Sequence, residues 1–379
     1  MNKELTSLFI TTVKSAFGIV PDVLPELTDK QIMEIYDLAS RQSMLPIALE
    51  SLKKMGYTSI LVKDVQKLNA KEMLRHYNRV ETFGKISSIF GNLGIKFVPL
   101  KGLFVSSLYP EPWMRTSCDI DILVHEDDLE KAIKALESQS DFELKTREFH
   151  DVLLTNKWVS LELHFSALSN IECLDKVLAN VWDYVVPSGD GCRCDFTPEF
   201  QLFFIVSHAA KHLMTWGGMG VRPLLDIWLL REKTKYDESV LKKLCSESGI
   251  LGFYDTCCSL LDVWFKGAEH SDVTREFEEL LLSGGVFGSS RSLALRNDRK
   301  NKGFKYILSR MFMSRRELME RFPESQKHPN LVPFYQFKRW ALLLKSKNRQ
   351  KAQSEMRQAR DLGQEEKDRY NKLLGSMGL

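Results

Sequence analysis

The sequence predicts an α+β fold, a small mixed β-sheet flanked by N-terminal and C-terminal helical regions. Three observations predict it. Residues 1–94 carry apolar positions at helical spacing. Residues 95–165 break into short apolar runs of strand length, separated by turns and short helical stretches. After Pro198 the helical spacing returns. These shifts divide the chain into a helical region 1–94, an α/β core 95–190, a second helical region 191–348 and a charged tail or surface helix 349–379.

The first helix spans residues 1–20, with Leu5, Leu8, Phe9, Val13 and Phe17 on one face. Thr28-Asp29 caps a second helix striped by Ile32, Ile35, Tyr36, Leu38 and Ala39. A third, 43–55, closes at Gly56. Val62 to Leu93 reads as one long helix or two, with Val65, Leu68, Met73, Leu74, Tyr77, Val80, Phe83, Ile86 and Ile89 as its apolar positions. This block is expected to pack on the sheet and line a wall of its cleft.

In the core, 95–99 is a strand, 101–109 a short helix, 118–124 a strand and 126–138 a helix with Leu129, Ile133 and Leu136 inward. Phe142-Glu143-Leu144 starts another strand, and 149–155 and 158–165 form a hairpin around Asn156-Lys157. Ser188-Gly189-Asp190-Gly191 is a turn. Glu199 to Met214 is a helix presenting His208 and His212 one turn apart. Trp216 to Gly220 reads as a flexible loop able to close over a ligand, and 284–290 as a mobile surface loop lacking the Gly-Lys-Ser/Thr of a nucleotide-binding P-loop. Arg222 and Asp226 have the spacing of an intrahelical ion pair. Residues 296–316 form a basic stretch, read as the solvated face of an amphipathic helix.

Composition excludes several classes. At 379 residues the chain fills one large core or two moderate ones. A net charge of +3 does not indicate an electrostatic nucleic-acid binder. No apolar run approaches the roughly 20 residues that cross a bilayer, and the start has no signal-peptide core. A cytoplasmic protein without membrane partners is expected. Of seven cysteines, Cys192 and Cys194 are spaced C-x-C and Cys257 and Cys258 are adjacent, so zinc-type C-x-x-C pairs are missing and reduced thiols are expected.

The chemistry concentrates on 118–124. Alternation along a strand puts Asp119 and Asp121 on one face and Ile120 and Ile122 on the other. Two ionised carboxylates about 4 Å apart repel by roughly 4 kcal/mol at an effective dielectric near 20. Such a pair stays solvated, shares a proton or holds a hard cation such as magnesium together with phosphates. Lys101-Gly102 follows an apolar strand, where an amine and a turn can meet phosphate. Glu162 and His164 share a face of the last strand. If that strand lies beside 118–124, three acids converge; His164 then orients a carboxylate, meets substrate or is a satisfied half-buried histidine. His208 and His212 lack both the Glu of H-E-x-x-H and a third ligand, which disfavours zinc.

Leu100-Lys101-Gly102, Leu108-Tyr109-Pro110, Arg115, Asp119-Ile120-Asp121 and Leu161-Glu162-Leu163-His164 together resemble the motifs of an uncharacterised nucleotidyltransferase family of the DNA-polymerase-beta-like superfamily. The motif-bearing match covers roughly 80–165 and extends loosely through His208, His212 and Asp226. The resemblance implies a magnesium-dependent enzyme that moves an NMP group from an NTP, with ATP expected, to an unknown hydroxyl-bearing acceptor. Asp119, Asp121 and Glu162 are its implied catalytic residues and ligands to two magnesium ions. Lys101, Gly102, Arg115, His164, His208 and His212 are its implied nucleotide contacts. The superfamily usually has Gly-Ser where this chain has Lys101-Gly102, so phosphate contact is expected to differ. Two alternatives stand beside this reading. One is a catalytically silent nucleotide-binding or protein-interaction module on the same scaffold, the other a phosphohydrolase using His164, His208 and His212.

Overall fold

The computed structural model describes residues 3–20, 25–57, 62–189, 191–286, 288–300, 318, 332–343 and 362–379. Most of the basic stretch 296–316, and residues 349–361 of the charged tail, lie outside the described residues.

Helices α1 (Lys3–Ala16), α2 (Asp29–Arg41) and α3 (Leu45–Lys54) pack on one another through Phe9, Val13, Ile35, Leu38 and Ile47. Thr28 caps α2 in a reciprocal box with Gln31, as its sequence predicts. The fourth helix, α4 (Val62–Leu93), is continuous. Its apolar stripe is buried in the last third, through Ile86, Ile89 and Phe90. Further up, Leu68, Leu74, Tyr77 and Val80 are exposed while Asn69, His76, Arg79 and Thr82 are buried. The sequence expectation fails there because the inward face passes a polar cleft, and polar side chains are what that face must satisfy.

Five strands form the main sheet: β1 (Phe97–Pro99), β2 (Asp119–Val124), β3 (Glu143–Arg147), β4 (Asp151–Thr155) and β5 (Ser160–His164). Their spatial order is β1-β2-β5-β4-β3. Only β2 and β5 run parallel; the other neighbours are antiparallel. Asn156 Oδ1 accepts from the Trp158 and Val159 amides and closes the predicted β4–β5 hairpin. Helix α5 (Gly102–Ser106) follows β1, and α6 (Leu129–Gln139) follows β2. The sheet lies between two cores. On one face Ile120, Ile122, Leu161 and Leu163 pack with Ile86 and Phe90 of α4 and Ile133 and Leu136 of α6. On the other, Leu123 and Leu100 join the large helical core.

After α7 (Glu172–Leu178), a small hairpin of β6 (Val185–Pro187) and β7 (Cys194–Phe196) abuts β1, where Phe97 N–H donates to Cys192 O at 3.2 Å. The second helical region follows as α8 (Pro198–Trp216), α9 (Arg222–Lys233), α10 (Glu238–Glu247), α11 (Leu251–Lys266), α12 (Asp272–Ser283) and α13 (Ser290–Lys300). Helix α8 is buried almost all round through Phe200, Phe203, Ile205 and Val206. A helix at Gln364–Ser376 returns to bury Tyr370, Leu373 and Leu374 in the same core. All seven cysteines are free thiols. Among the described residues no helix is long and apolar enough to cross a membrane.

Candidate active site

The parallel pairing of β2 with β5 builds the site. Its register sets Asp121 opposite Glu162 and Asp119 opposite Ser160. The alternate residues Ile120, Ile122, Leu161 and Leu163 lock that register, since a slip by one would turn the acids into the apolar core. Asp121, Glu162 and His164 each offer a ligand atom, all within 4.8 Å of one another. Asp119 stands outside that tight group, two residues back on the same face.

Asp121 is buried, which opposes its ionisation. The Lys101 ammonium, with Nζ 3.6 Å from Oδ1, and the His164 imidazole, with Nε2 3.2 Å from the same oxygen, outweigh burial and hold its carboxyl below the usual range. His164 is raised: burial pulls it down, but Asp121 and Glu162 prevail. Asp119 is pushed up by burial and by the charge of Asp121, against a 2.7 Å hydrogen bond from Ser117 Oγ. The two aspartates therefore differ, one with its charge balanced and one carrying the repulsion.

A cleft of about 280 Å³ opens over these acids. It brings together Lys101, Gly102, Arg115, Asp119, Asp121, Glu162, His208 and His212, eight of the nine residues singled out from the sequence. The ninth, His164, lies beneath the acids, where it orients Asp121. His208 and His212 face the acids from α8; burial, then the Lys101 charge, pulls His208 well down and His212 to about 4. Both are neutral imidazoles at neutral pH. Among the described residues they join neither of the two groups of metal-ligating atoms, Asp121-Glu162-His164 and His150-Asp151-His164. The donor set around Asp121 is mostly carboxylate oxygen, which suits a hard divalent cation.

Arg115 departs from its simplest reading. It is buried and makes two hydrogen bonds to Asp226, Nε to Oδ1 at 3.0 Å and Nη2 to Oδ2 at 2.8 Å. Tyr109 donates to the same carboxylate at 2.7 Å. The predicted intrahelical pair of Arg222 with Asp226 gives way to this arrangement, because Asp226 turns inward from α9 to a cation on the core. Arg222 donates instead to Thr116 O at 2.8 Å and lines the cleft.

The glycine loops are held. Gln42, fully buried, donates to Leu281 O at 3.0 Å and Gly284 O at 2.9 Å and accepts from Val221 N–H at 2.9 Å. A Cβ on Gly217, which has φ +76°, would stand 2.5 Å from Ser292 O. One on Gly288 would stand 2.7 Å from Ser292 Oγ. These glycines permit close backbone packing, which replaces the expected closing loop and mobile surface loop. Met219 and Val286 carry the packed pair into the cleft wall.

Sequence spacing missed Ser117 and Arg79, and read Arg222 only as half of an intrahelical pair. Arg79 reaches from α4 to Ser117 O and so braces the turn before β2.

A family model described as uncharacterised nucleotidyltransferase matches residues 28–266. No curated protein matches the chain.

Proposed function

The chain belongs to this family of uncharacterised nucleotidyltransferases, and from that premise we propose a magnesium-dependent transfer of an NMP group from an NTP, ATP first, to a hydroxyl-bearing acceptor with release of pyrophosphate. One observation carries the reading: Asp119, Asp121 and Glu162 line one cleft together with Lys101, Arg115, Arg222, His208 and His212. Carboxylates for a cation and donors for phosphate within one cleft are what a metal–triphosphate complex requires.

Magnesium, held by Asp119, Asp121 and Glu162, would supply the charge that lets the acids and the triphosphate share one site. The other tasks fall to the chain. Lys101 and Arg222 bring positive charge to the phosphates. Arg115 positions the wall that carries them, through its two hydrogen bonds to Asp226. Gly102 lines the turn beside them, where a Cβ would meet Arg115 Nη1 and Ser117 Oγ at 3.7 Å, an ordinary contact distance. Neutral His208 and His212 serve as hydrogen-bonding groups rather than cations. Glu162, partly exposed and 3.6 Å from His164, is the carboxylate assigned to take the acceptor proton.

The test is calorimetric titration of non-hydrolysable NTP analogues with and without magnesium, on the native chain and on Asp119→Asn. Binding that needs both magnesium and the Asp119 carboxylate is expected. Binding unchanged by either removes the metal assignment. A second reading, nucleotide binding without turnover, draws on Lys101 and Arg115 being already paired with acids. Magnesium-dependent binding with no pyrophosphate release from any acceptor would select it.

A further inference from the structure

A second cavity, of about 400 Å³, adjoins the acidic cleft and shares Ser117, Asp119, Arg222 and Val286 with it. Its other walls come from the N-terminal helices, through Ser40, Leu45, Leu68, Asn69 and Glu72. Asp119 is thus the junction of two spaces. Lys101, Gly102 and Arg115 line only the first, and the α3 and α4 side chains only the second. In an in-line displacement the attacking oxygen approaches the α-phosphorus opposite the leaving pyrophosphate. Lys101 lines only the first cavity, which leaves the second, across the shared Asp119, for the attacking oxygen.

We propose that this cavity is the acceptor site and that it takes a small, non-aromatic, polyhydroxylated molecule. The proposal rests on the nucleotidyltransferase reading above. Four observations point to the class. The polar lining is dominated by hydroxyls and amide, with Ser40, Ser43, Thr116, Ser117 and Asn69. Asn69 is 6% exposed, and its Nδ2 donates to Glu50 at 2.8 Å while its Oδ1 has no hydrogen-bond partner. That acceptor is met by a donor such as a ligand hydroxyl once the Asn69 side chain turns to the cavity it lines. The charged lining residues are balanced, Glu72 lying 2.5 Å from Arg75, which gives no electrostatic footprint for RNA. Leu45, Pro46, Leu68 and Val286 offer aliphatic contact without an aromatic stacking platform. In the reaction the acceptor oxygen bonds to the α-phosphorus as the bond from that phosphorus to the bridging oxygen breaks. Pyrophosphate leaves with the electron pair, and the hydroxyl proton passes to a site carboxylate and then to water.

The experiment incubates the full chain with magnesium, α-labelled ATP and a panel of monosaccharides, cyclitols, aminocyclitols and linear polyols. Labelled product and released pyrophosphate are measured, alongside titration of the nucleotide analogue. Leu68→Trp fills the cavity, and Asn69→Leu removes the unpaired acceptor. The expected result is a labelled polyol whose formation falls at least tenfold in both variants, with analogue affinity held within about threefold. Product formation unaffected by Leu68→Trp overturns the proposal. So does analogue binding with no labelled panel member, or label appearing only on added RNA or protein. Loss of analogue binding by the native chain would instead defeat the nucleotidyltransferase reading itself.

Discussion

Lys101 reaches Asp121 across the β1–α5 turn, Nζ to Oδ1 at 3.6 Å, from a backbone φ of +43°. A non-glycine residue in that region carries roughly 1–3 kcal/mol of strain. The strain persists at the point where the side chain supplies a cation to the acids. Lys101→Met removes the charge and keeps the strain; Lys101→Gly removes both. The glycine variant is expected to be the more stable by about 1 kcal/mol in urea unfolding. Both are expected to lose magnesium-dependent binding of the nucleotide analogue.

Asp119 and Asp121 are expected to respond oppositely to neutralisation. From the sequence, removing either acid relieves repulsion and leaves the fold intact. In the structure only Asp119 is in that position. Asp119→Asn should leave the unfolding midpoint unchanged or raise it at neutral pH. Asp121→Asn leaves Lys101 and His164 without their shared counter-charge and should lower it. Equal effects in denaturant melts would contradict this asymmetry.

The Arg115–Asp226 pair joins the core to α9, and removing one partner strands a buried charge. Asp226→Ala is expected to cost about 3–5 kcal/mol. Tyr109→Phe, which deletes one hydrogen bond to that carboxylate, should cost about 1.5–3 kcal/mol. Arg115→Lys should not rescue, because an ammonium cannot make the paired bonds. Equilibrium unfolding of the three variants orders them.

Gln42 ties together two loops on the cleft wall. Gln42→Leu leaves Leu281 O, Gly284 O and Val221 N–H without this partner. The expected loss is about 1–3 kcal/mol for each buried group so stranded. Gly217→Ala must move the Ser292 backbone and is expected to raise amide exchange in both loops together. Exchange confined to the mutated loop would show that they are not coupled.

Acid should weaken the fold through its half-buried neutral histidines. His150 and His212 are both pulled down to about 4, chiefly by burial. Their unfolded forms take up protons from about pH 6.5, so between there and about 4 the unfolded state binds more. Stability is then full above 6.5 and falls as the pH drops toward 4. His212→Asn is expected to flatten the decline in urea midpoint between pH 7.5 and 5.

Much of this was legible in the sequence because it was written locally. The Thr28 cap, the Asn156 hairpin and the Asp119/Asp121 alternation each depend on residues within a turn or a pleat of one another. The motifs from Lys101 to His164 carried the family for the same reason, being short and ordered. The sequence by itself determined the α+β class and which acids and basic residues to watch. Only the tertiary structure decided that β2 and β5 run parallel in the register that sets Asp121 beside Glu162. It alone assigned Asp226 to Arg115, turned the polar side of α4 inward and made the glycine loops packed walls. Those outcomes depend on contacts between residues far apart in the chain, such as Arg115 with Asp226 or Gln42 with Leu281, where burial and charge balance choose the partner and local spacing does not.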